Sequence, residues 1–229
     1  AVHFVGNYNR TYFTYITPDG YIKVFYFDHS SKTFSQIVTV ATNPIGTDTH
    51  GAPAILVDPQ GYIHIFYGSH ISAQYYIRSV NPEDITSWTT PKTITSKATY
   101  PIPRYYNGTI YVFFRGPNNY QHSFIYSTDG GETWSNPVTF IDFGGPIIYR
   151  ANVIVDAQGR FHVVWTIFDT SDNTRKHVYY AWSPDLQTWY SVNGTDFYYP
   201  DPTLTWSDST LTFDPSLAGL TFNDYDTIR

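Results

Sequence analysis

The chain has 229 residues, a formal net charge of −6 and no cysteine. This length allows one domain or two, the lack of cysteine excludes disulfides and thiolate metal sites, and the acidic balance argues against a nucleic-acid partner. No apolar run reaches the roughly 18 residues that a membrane-spanning helix needs, and the 22 Tyr and 16 Phe favour an all-β protein.

A repeated pattern of turn, glycine and apolar strand runs along the chain. The glycines that anchor it are Gly20, Gly61, Gly108 and Gly159, which are 41, 47 and 51 residues apart. Periods of about 40–50 residues with several short strands are typical of β-propeller blades. The sequence therefore predicts an all-β protein, a β-propeller with four clear four-stranded blades and a partial fifth.

The predicted organisation is a single propeller domain over residues 1–229. Its blades span approximately residues 1–48, 49–98, 99–147 and 148–197, and residues 198–229 form a partial blade or a closing segment. Closed propellers usually have about four to eight blades. The chain is therefore a small propeller, a part of a larger one, or one that an oligomer completes. We expect four separate sheets and no long helix.

The second repeat contains a predicted β-hairpin with a histidine at each open end. Residues 52–57 and 62–67 have strand composition, and the turn between them contains Asp, Pro and Gly. His50 and His70 are nearly symmetric about this turn, so an antiparallel ladder would place their Cβ atoms about 4.5–5.5 Å apart. Two adjacent imidazoles at the rim of a sheet indicate acid–base chemistry or a metal site.

The third and fourth repeats carry polar residues at the equivalent ends of their hairpins. Tyr100 and Arg115 are near-opposite in the third hairpin, and Tyr149 and Arg150 lie at the entry to the fourth. In a propeller these open ends face the central channel. We therefore expect all of these side chains to line one cleft with the two histidines, whose rings should lie within about 8 Å of each other.

Two segments have the pattern of an Asp-box. Residues 127–134 read S-T-D-G-G-E-T-W, and residues 183–189 give a shortened version, S-P-D-L-Q-T-W. Asp129 can accept backbone hydrogen bonds in the turn, and Trp134 can fill the space between sheets. We interpret the box as structural, with Trp134 largely buried and its truncation to Ala costing about 3–5 kcal/mol.

The remaining histidines are predicted to be structural or peripheral. His64 and His162 occupy the same position within a strand of their repeats, which is typical of a packing residue. His122 and His177 lie beside the third strands of their repeats and are expected at the surface or the rim.

The Asp-box and the block D-T-H-x-x-P-x-x-x-V-D-x-x-G-Y-I-H-x-F-Y-G-x-H at residues 48–70 together resemble the BNR-repeat propeller family. Its characterised members include ulvan lyases and related polysaccharide lyases. The resemblance implies that His50 and His70 act as general base and acid, helped by Tyr100, and that Arg115 neutralises a uronate carboxylate. Tyr149 matches a further tyrosine of the family, whose members usually have about seven blades.

The sequence thus favours a polysaccharide lyase that cleaves a uronate-containing acidic glycan by β-elimination. The predicted site consists of the catalytic candidates His50, His70, Tyr100 and Tyr149 and the substrate-binding candidates Arg115 and Arg150. An acidic polysaccharide is the expected partner. The sequence leaves open whether the chain forms a homo-oligomer. We expect no cofactor, metal, nucleic acid or membrane span, and an extracellular location, either secreted or on the cell surface.

Three alternatives stay open at this stage. The first is a non-catalytic glycan-binding or assembly propeller, for which the aromatic side chains would supply sugar-stacking platforms or subunit contacts. Sialidase-type hydrolysis is weaker, because it needs three arginines on one carboxylate and only P-I-P-R at residues 101–104 comes near the expected motif. A metal site at His50 and His70 is open too, although no acidic ligand is obviously placed to complete it.

Overall fold

A computed structural model describes residues 1–142, 144–145, 147–171, 173–190, 196–197 and 210–213. The side chains of Arg150 and of residues 174–177, 196–197 and 210–213 lie outside this description. The regular structure of the described residues is β-strand apart from one 3₁₀ turn at Thr49–Gly51. The all-β prediction is therefore confirmed. Within the same residues, no helix has the length and apolar character to span a membrane.

The strands form three antiparallel sheets, in chain order. The first sheet contains β1 (Val2–Val5), β2 (Asn9–Ile16), β3 (Tyr21–Asp28), β4 (Thr33–Phe34) and β5 (Val38–Thr42). The second contains β6 (Ala54–Val57), β7 (Ile63–Tyr67), β8 (His70–Arg78), β9 (Lys92–Tyr106), β10 (Thr109–Arg115), β11 (Gln121–Ser127) and β12 (Val138–Asp142). The third contains β13 (Ile147–Val155), β14 (Phe161–Asp169), β15 (Thr174–Ser183), β16 (Trp189–Tyr190), β17 (Asp196–Phe197) and β18 (Thr210–Phe213).

The described residues form three sheets where the sequence predicted four, because strand β9 is shared. It runs for 15 residues and lies between β8 and β10 in one seven-stranded sheet. No glycine or turn dipeptide interrupts residues 92–106, so the outer strand of the second repeat continues directly into the inner strand of the third. The predicted separation of these two repeats into distinct sheets at residues 98 and 99 is wrong.

The chain divides into two compact units. One consists of Ala1–Val112 with Tyr126–Asn136, and the other of Phe113–Ile125 with Pro137–Arg229. The assignment of a single propeller domain with four blades stays a prediction. Of its last segment, residues 198–229, all but 210–213 lie outside the described residues.

The repeat itself is confirmed at the turns. Gly20, Gly61, Gly108 and Gly159 each lie between paired strands and have φ values of 82°, 91°, 81° and 80°. This left-handed backbone conformation favours glycine over residues with a Cβ atom. One tight turn is therefore used at the same place in every repeat.

The core of the first unit lies between the sheets of the first two repeats. Tyr12, Ile22 and Val24 of the first sheet are fully buried against Ile63 and Ile65 of β7. Alternate residues on each strand point into this layer, as a strand period of two requires. The opposite face of β7 carries Phe66, which contacts Trp134.

The predicted Asp-box at residues 127–134 forms a closed turn in the structure. Asp129 accepts hydrogen bonds from the backbone amide and hydroxyl of Thr133 and from the hydroxyl of Ser127. Trp134 is mostly buried, with part of its surface exposed. Its ring packs edge-on against Phe66 and Tyr76, with centroids 5.8 and 5.2 Å away. The structural interpretation of the box agrees with these contacts.

Candidate active site

The two histidines singled out from the sequence are in direct contact. The rings of His50 and His70 stack with centroids 3.7 Å apart and an angle of 6° between their planes. Both side chains are partly exposed, at 30% and 40% respectively. The expected proximity of the rings is therefore confirmed, and both rings can be reached from solvent.

The reason for this proximity differs from the predicted one. His50 lies in the 3₁₀ turn before β6, and His70 opens β8, where its partner across the ladder is Thr99 of β9. The hairpin of β6 and β7 pairs Ala54 with Phe66 and does not extend to either histidine. The prediction that the two histidines face each other across one ladder is wrong, because the chain leaves the ladder at both positions.

Asp48 holds the pair together and was missed by the sequence reasoning. Its Oδ1 accepts hydrogen bonds from the backbone amide of His50 at 2.9 Å and from His50 Nδ1 at 2.6 Å. Its Oδ2 accepts from His70 Nδ1 at 2.7 Å. The first of these bonds is an N-cap contact, for which Asp is a preferred residue. The D-x-H spacing was the available signal.

The hydrogen bonds determine how the imidazoles are presented. An ionised carboxylate only accepts, so each Nδ1 that faces Asp48 carries a proton, and in a neutral ring the lone pair is on Nε2. Partial burial raises the pKa of Asp48, but the hydrogen bonds from His50 and His70 outweigh it and lower that pKa to about 2. Asp48 is therefore ionised across the physiological range, and both Nε2 atoms are left for chemistry.

The same three residues could in principle hold a metal ion. One ligand atom from each of Asp48, His50 and His70 lies within 4.8 Å of the others. An ion placed among them would displace the protons that now join both Nδ1 atoms to the carboxylate. The stacked rings are also nearly parallel, so their two Nε2 lone pairs do not converge on one point. This geometry suits proton transfer better than chelation.

Two residues beside the histidines have a strained backbone conformation. Ile71, directly after His70, has φ of 48°, and Tyr100 has φ of 58°. Positive φ is a genuine outlier for a β-branched residue, and such conformations occur most often at functional sites. The ring of Tyr100 lies 5.4 Å from that of His50, between centroids. Tyr100 is therefore brought to the pair, as predicted.

Buried polar side chains fix the loop that carries His70. The Ser69 hydroxyl donates to Gln74 Oε1 at 2.6 Å, and Gln74 Nε2 donates to the backbone carbonyl of Tyr67 at 2.8 Å. Thr99 Oγ1 accepts from the amide of Ile71 at 2.7 Å. Ser69, Gln74 and Thr99 are all fully buried. Such a network holds the strained segment in one conformation.

The remaining predicted residues lie in the other compact unit. Arg115 is only 3% exposed, and its guanidinium lies 5.9 Å from the centroid of the Tyr149 ring. These two residues are brought together, whereas the side chain of Arg150 lies outside the described residues. A common cleft for both groups stays a prediction.

His122 lies near Arg115 and was misplaced by the sequence reasoning. It is 1% exposed, not at the surface or rim. Neither ring nitrogen has a hydrogen-bond partner within the described part of the chain. Burial and the nearby charge of Arg115 lower the pKa of His122 to about 3. The imidazole is therefore neutral at any working pH.

His64 and His162 form matching structural triads, as expected for packing residues. His64 Nε2 donates to Asp58 at 3.2 Å, and its Nδ1 accepts from the Tyr76 hydroxyl at 2.8 Å. The fourth repeat contains the same arrangement, with Asp156, His162 and Tyr180 at 3.0 and 2.7 Å. Each triad joins the turn of a hairpin to the neighbouring strand. The side chain of His177 is outside the described residues.

Known proteins share this fold. The curated ulvan lyase of Alteromonas sp. (strain LOR) is 29% identical over 155 residues, or 57% of this chain and 32% of that protein. The solved PL25 ulvan lyase bound to -[GlcA(1-4)Rha3S]- aligns with a TM-score of 0.80 and 22% identity over 93% of this chain. The solved polysaccharide lyase Uly1 aligns with a TM-score of 0.65 and 14% identity over 95% of the chain.

The comparisons also show how much of each relative the chain covers and to which family it belongs. The chain spans 57% and 59% of the two solved lyases, and its match covers about a third of the curated ulvan lyase. Residues 10–224 match the family described as BNR repeat-containing family member, which is nearly the whole chain. Because that match covers most of its length, this chain, with its repeated turns and all-β sheets, belongs to the BNR repeat-containing family.

Proposed function

We propose that the protein is a polysaccharide lyase that cleaves a uronate-containing acidic glycan by β-elimination. The observation that carries this proposal is the stacked pair of His50 and His70 on the single carboxylate of Asp48. The pair presents two Nε2 atoms side by side at a partly exposed rim. Elimination needs one group that takes a proton and another that gives one.

The proposed reaction begins with removal of the C5 proton of a uronate residue. A neutral histidine accepts this proton at Nε2, since imidazole is a suitable base near neutral pH. The C4–O4 bond then breaks, a C4=C5 double bond forms, and the leaving O4 takes a proton from the other histidine or from Tyr100. Each such positioned group typically contributes roughly 10²–10⁴-fold in rate.

The stacking of the histidines suits this division of roles. Two imidazolium rings with centroids 3.7 Å apart would repel each other. A neutral ring beside a cationic one avoids this repulsion and provides one base and one acid at the same place. Tyr100, beside His50, is the proposed assistant in protonating the leaving group.

Arg115 has the proposed role of neutralising the uronate carboxylate, with Tyr149 beside it and Arg150 as a further binding residue. A nearby cation makes the C5 proton more acidic and stabilises the enolate-like charge that develops. With 3% exposure, Arg115 can reach a substrate only if neighbouring groups move. It is therefore the weakest member of the proposed set.

The relatives support the substrate class. The solved PL25 ulvan lyase was bound to a unit that contains GlcA, a uronate. We transfer this class, an acidic polysaccharide, together with an extracellular location, to the present chain as part of the proposal.

The test is the formation of unsaturated uronate ends, which absorb in the ultraviolet, on incubation with an acidic uronate polymer. His50→Ala and His70→Ala should each reduce the signal by about 10²-fold or more, with melting temperatures close to that of the native protein. His3→Ala is a matched control, because His3 is an exposed histidine bonded to Asn9 away from the pair. Retention of activity in both rim variants would overturn the proposal.

A glycan-binding or assembly propeller without catalysis is the second candidate. The observation that favours it is the exposed aromatic side chains of the first sheet, where Phe34 is 67% exposed. Under this alternative, the native protein would bind an acidic polymer or itself but would generate no ultraviolet signal with any uronate substrate.

A further inference from the structure

The two stacked histidines belong to different segments of the chain. His50 lies in the loop between β5 and β6, at residues 43–53, and His70 opens β8 directly after the turn that follows β7. The centroids of the two rings are 3.7 Å apart, and a displacement of about 1 Å in a site of this kind costs roughly 10²-fold in rate. The contacts that hold the loop against the turn therefore matter for any chemistry of the pair.

Gly68 is the residue at which this turn meets the loop. It is buried, its φ is 85°, and its amide donates a hydrogen bond to the carbonyl of Gly51 at 3.3 Å. Gly51 directly follows His50, and Gly68 comes two residues before His70. A backbone hydrogen bond thus joins the two segments within two residues of each imidazole.

The ring of Pro44, in the loop, fills the place that a side chain on Gly68 would take. A Cβ atom on Gly68 would lie 2.7 Å from Cδ and 2.8 Å from Cγ of Pro44, and 3.2 Å from the ring of Tyr75. Carbon atoms in favourable contact lie about 3.5–4.0 Å apart. The proline ring is closed onto its own backbone, so it cannot rotate away as a flexible side chain can. A side chain at position 68 therefore forces the loop and the turn apart.

The start of the loop is fixed at Asn43, directly before Pro44. The backbone amide of Asn43 donates to the carbonyl of Gly20 at 2.8 Å, and its Nδ2 donates to the carbonyl of Gly46 at 2.7 Å. Asn43 is 2% exposed. Because these bonds hold the beginning of the loop in place, a displacement forced on Pro44 is passed along the following residues towards His50.

We propose that Gly68 is a positioning residue for the lyase reaction: the space left by its missing side chain admits the ring of Pro44 and so sets the separation of the two histidine rings. This inference rests on the proposed function and adds a residue that acts through the backbone of the site. Gly68 has two properties that favour glycine, a left-handed φ and the close approach of a neighbouring group. Only the close approach concerns the histidines, so the two properties can be separated by experiment.

Gly68→Ala and Gly108→Ala form a matched pair for this purpose. Gly108 has φ of 81°, close to the 85° of Gly68, but a Cβ atom on Gly108 would meet no heavy atom within 4 Å. Both substitutions place a side chain in the left-handed region, so both should lower the melting temperature. In Gly68→Ala alone, the imidazole protons of the pair should lose the upfield NMR shifts that ring stacking produces. In the same variant, kcat for unsaturated uronate ends should fall about 10²-fold with little change in KM.

A second substitution tests the contact itself. Pro44→Ala removes Cγ and Cδ, the two atoms that a Cβ atom at position 68 would approach most closely. The double variant of Gly68→Ala with Pro44→Ala should therefore recover part of the stacking shifts and of kcat, although it keeps the backbone cost. A Gly68→Ala protein that fails to fold, beside a double variant that folds with stacked rings, has the same meaning as this recovery.

The NMR measurement needs no substrate, so the positioning role and the proposed function can fail separately. Native stacking shifts in Gly68→Ala, an equal loss of them in Gly108→Ala, or a double variant that behaves like Gly68→Ala would overturn the positioning role. If the shifts follow the expected pattern but the native protein forms no unsaturated ends, the proposed function is wrong and the positioning of the histidine pair by Gly68 is supported.

Discussion

The buried triad of Asp58, His64 and Tyr76 and the rim cluster of Asp48, His50 and His70 use the same residue types for different purposes. In the triad, both ring nitrogens of His64 are bonded, one to the carboxylate and one to the phenol. In the rim cluster, only Nδ1 of each ring is bonded to Asp48. The number of ring nitrogens already in use therefore separates a structural histidine from one that is available for proton transfer.

Burial differs in the same direction between His64 and the rim pair. The side chain of His64 has no exposed surface, whereas those of His50 and His70 are 30% and 40% exposed. His122 is a third type, buried with neither nitrogen bonded among the described residues. The four predictions below test this classification, from the largest expected effect to the smallest.

Removal of the buried triad histidine should be the most damaging change. His64→Ala leaves a cavity and deprives Asp58 and Tyr76, which are 4% and 2% exposed, of their partner. We expect a loss of about 3–5 kcal/mol in the free energy of unfolding, measured by urea denaturation. The activity of the folded fraction should be unchanged. A normal stability would show that the triad does not hold the hairpin.

At the rim cluster we expect a loss of turnover with little loss of stability. Asp48→Asn keeps the size of the side chain but removes the charge and allows its amide to donate to one Nδ1, which selects the wrong tautomer. We expect turnover to fall on the order of 10²-fold, as for other groups that orient a reacting histidine, with a small change in unfolding free energy.

Imidazole nitrogen chemical shifts in NMR spectra separate this effect from simple misfolding. In the native protein they should show Nδ1 protonated in the neutral forms of His50 and His70. In Asp48→Asn this preference should weaken while other resonances stay in place. An unchanged tautomer together with lost turnover would contradict the orienting role of Asp48.

The buried side chain of His122 should lower the stability of the folded protein in acid. Burial and Arg115 lower the folded-state pKa of His122 from 6.5 to about 3, so between these values the unfolded chain binds a proton that the folded chain does not. The free energy of unfolding is therefore unaffected by this group above pH 6.5 and decreases as the pH falls below that value. At pH 4.5 the loss is about 2–3 kcal/mol.

His122→Leu should remove that part of the pH dependence. Thermal or urea unfolding at pH 7 and pH 4.5 should show a smaller difference for the variant than for the native protein. At pH 7 the variant should be as stable as the native protein or more so, because an apolar side chain leaves no buried polar group unsatisfied. Equal pH dependence in both proteins would indicate that His122 has a partner in solution.

Sequence reasoning recovered the features that depend on local chemistry. The glycine turns, the turn closed by Asp129 and the packing role of His64 and His162 each follow from residue types at fixed spacing, and the structure contains all of them. The proximity of His50 and His70 was also predicted, although the β6–β7 ladder from which it was inferred ends before both residues.

The features that were missed depend on contacts distant in the sequence or on continuity of a strand. Asp48 reaches His70 across 22 residues, and its role is visible only after the 3₁₀ turn has brought it there. The depth of His122 depends on what covers β11, which strand composition does not specify. The joining of two repeats through β9 could not be predicted, because it depends on the absence of a turn near residue 99. A missing turn motif does not show that a strand continues, since many turns lack a clear motif.

The two copies of the triad provide the smallest and best controlled comparison. Tyr76→Phe removes the hydroxyl that donates to His64 in a fully buried site, so a ring nitrogen is left unpaired without access to water. Tyr180→Phe removes the same hydroxyl from His162, whose side chain is 20% exposed. Water can replace the lost partner there. We expect the first change to cost about 1–3 kcal/mol and the second about 0.5–1 kcal/mol in unfolding free energy. Because the chemistry of the two substitutions is identical, the difference in cost isolates the effect of burial. Equal costs from urea denaturation would mean that burial does not determine the strength of these bonds.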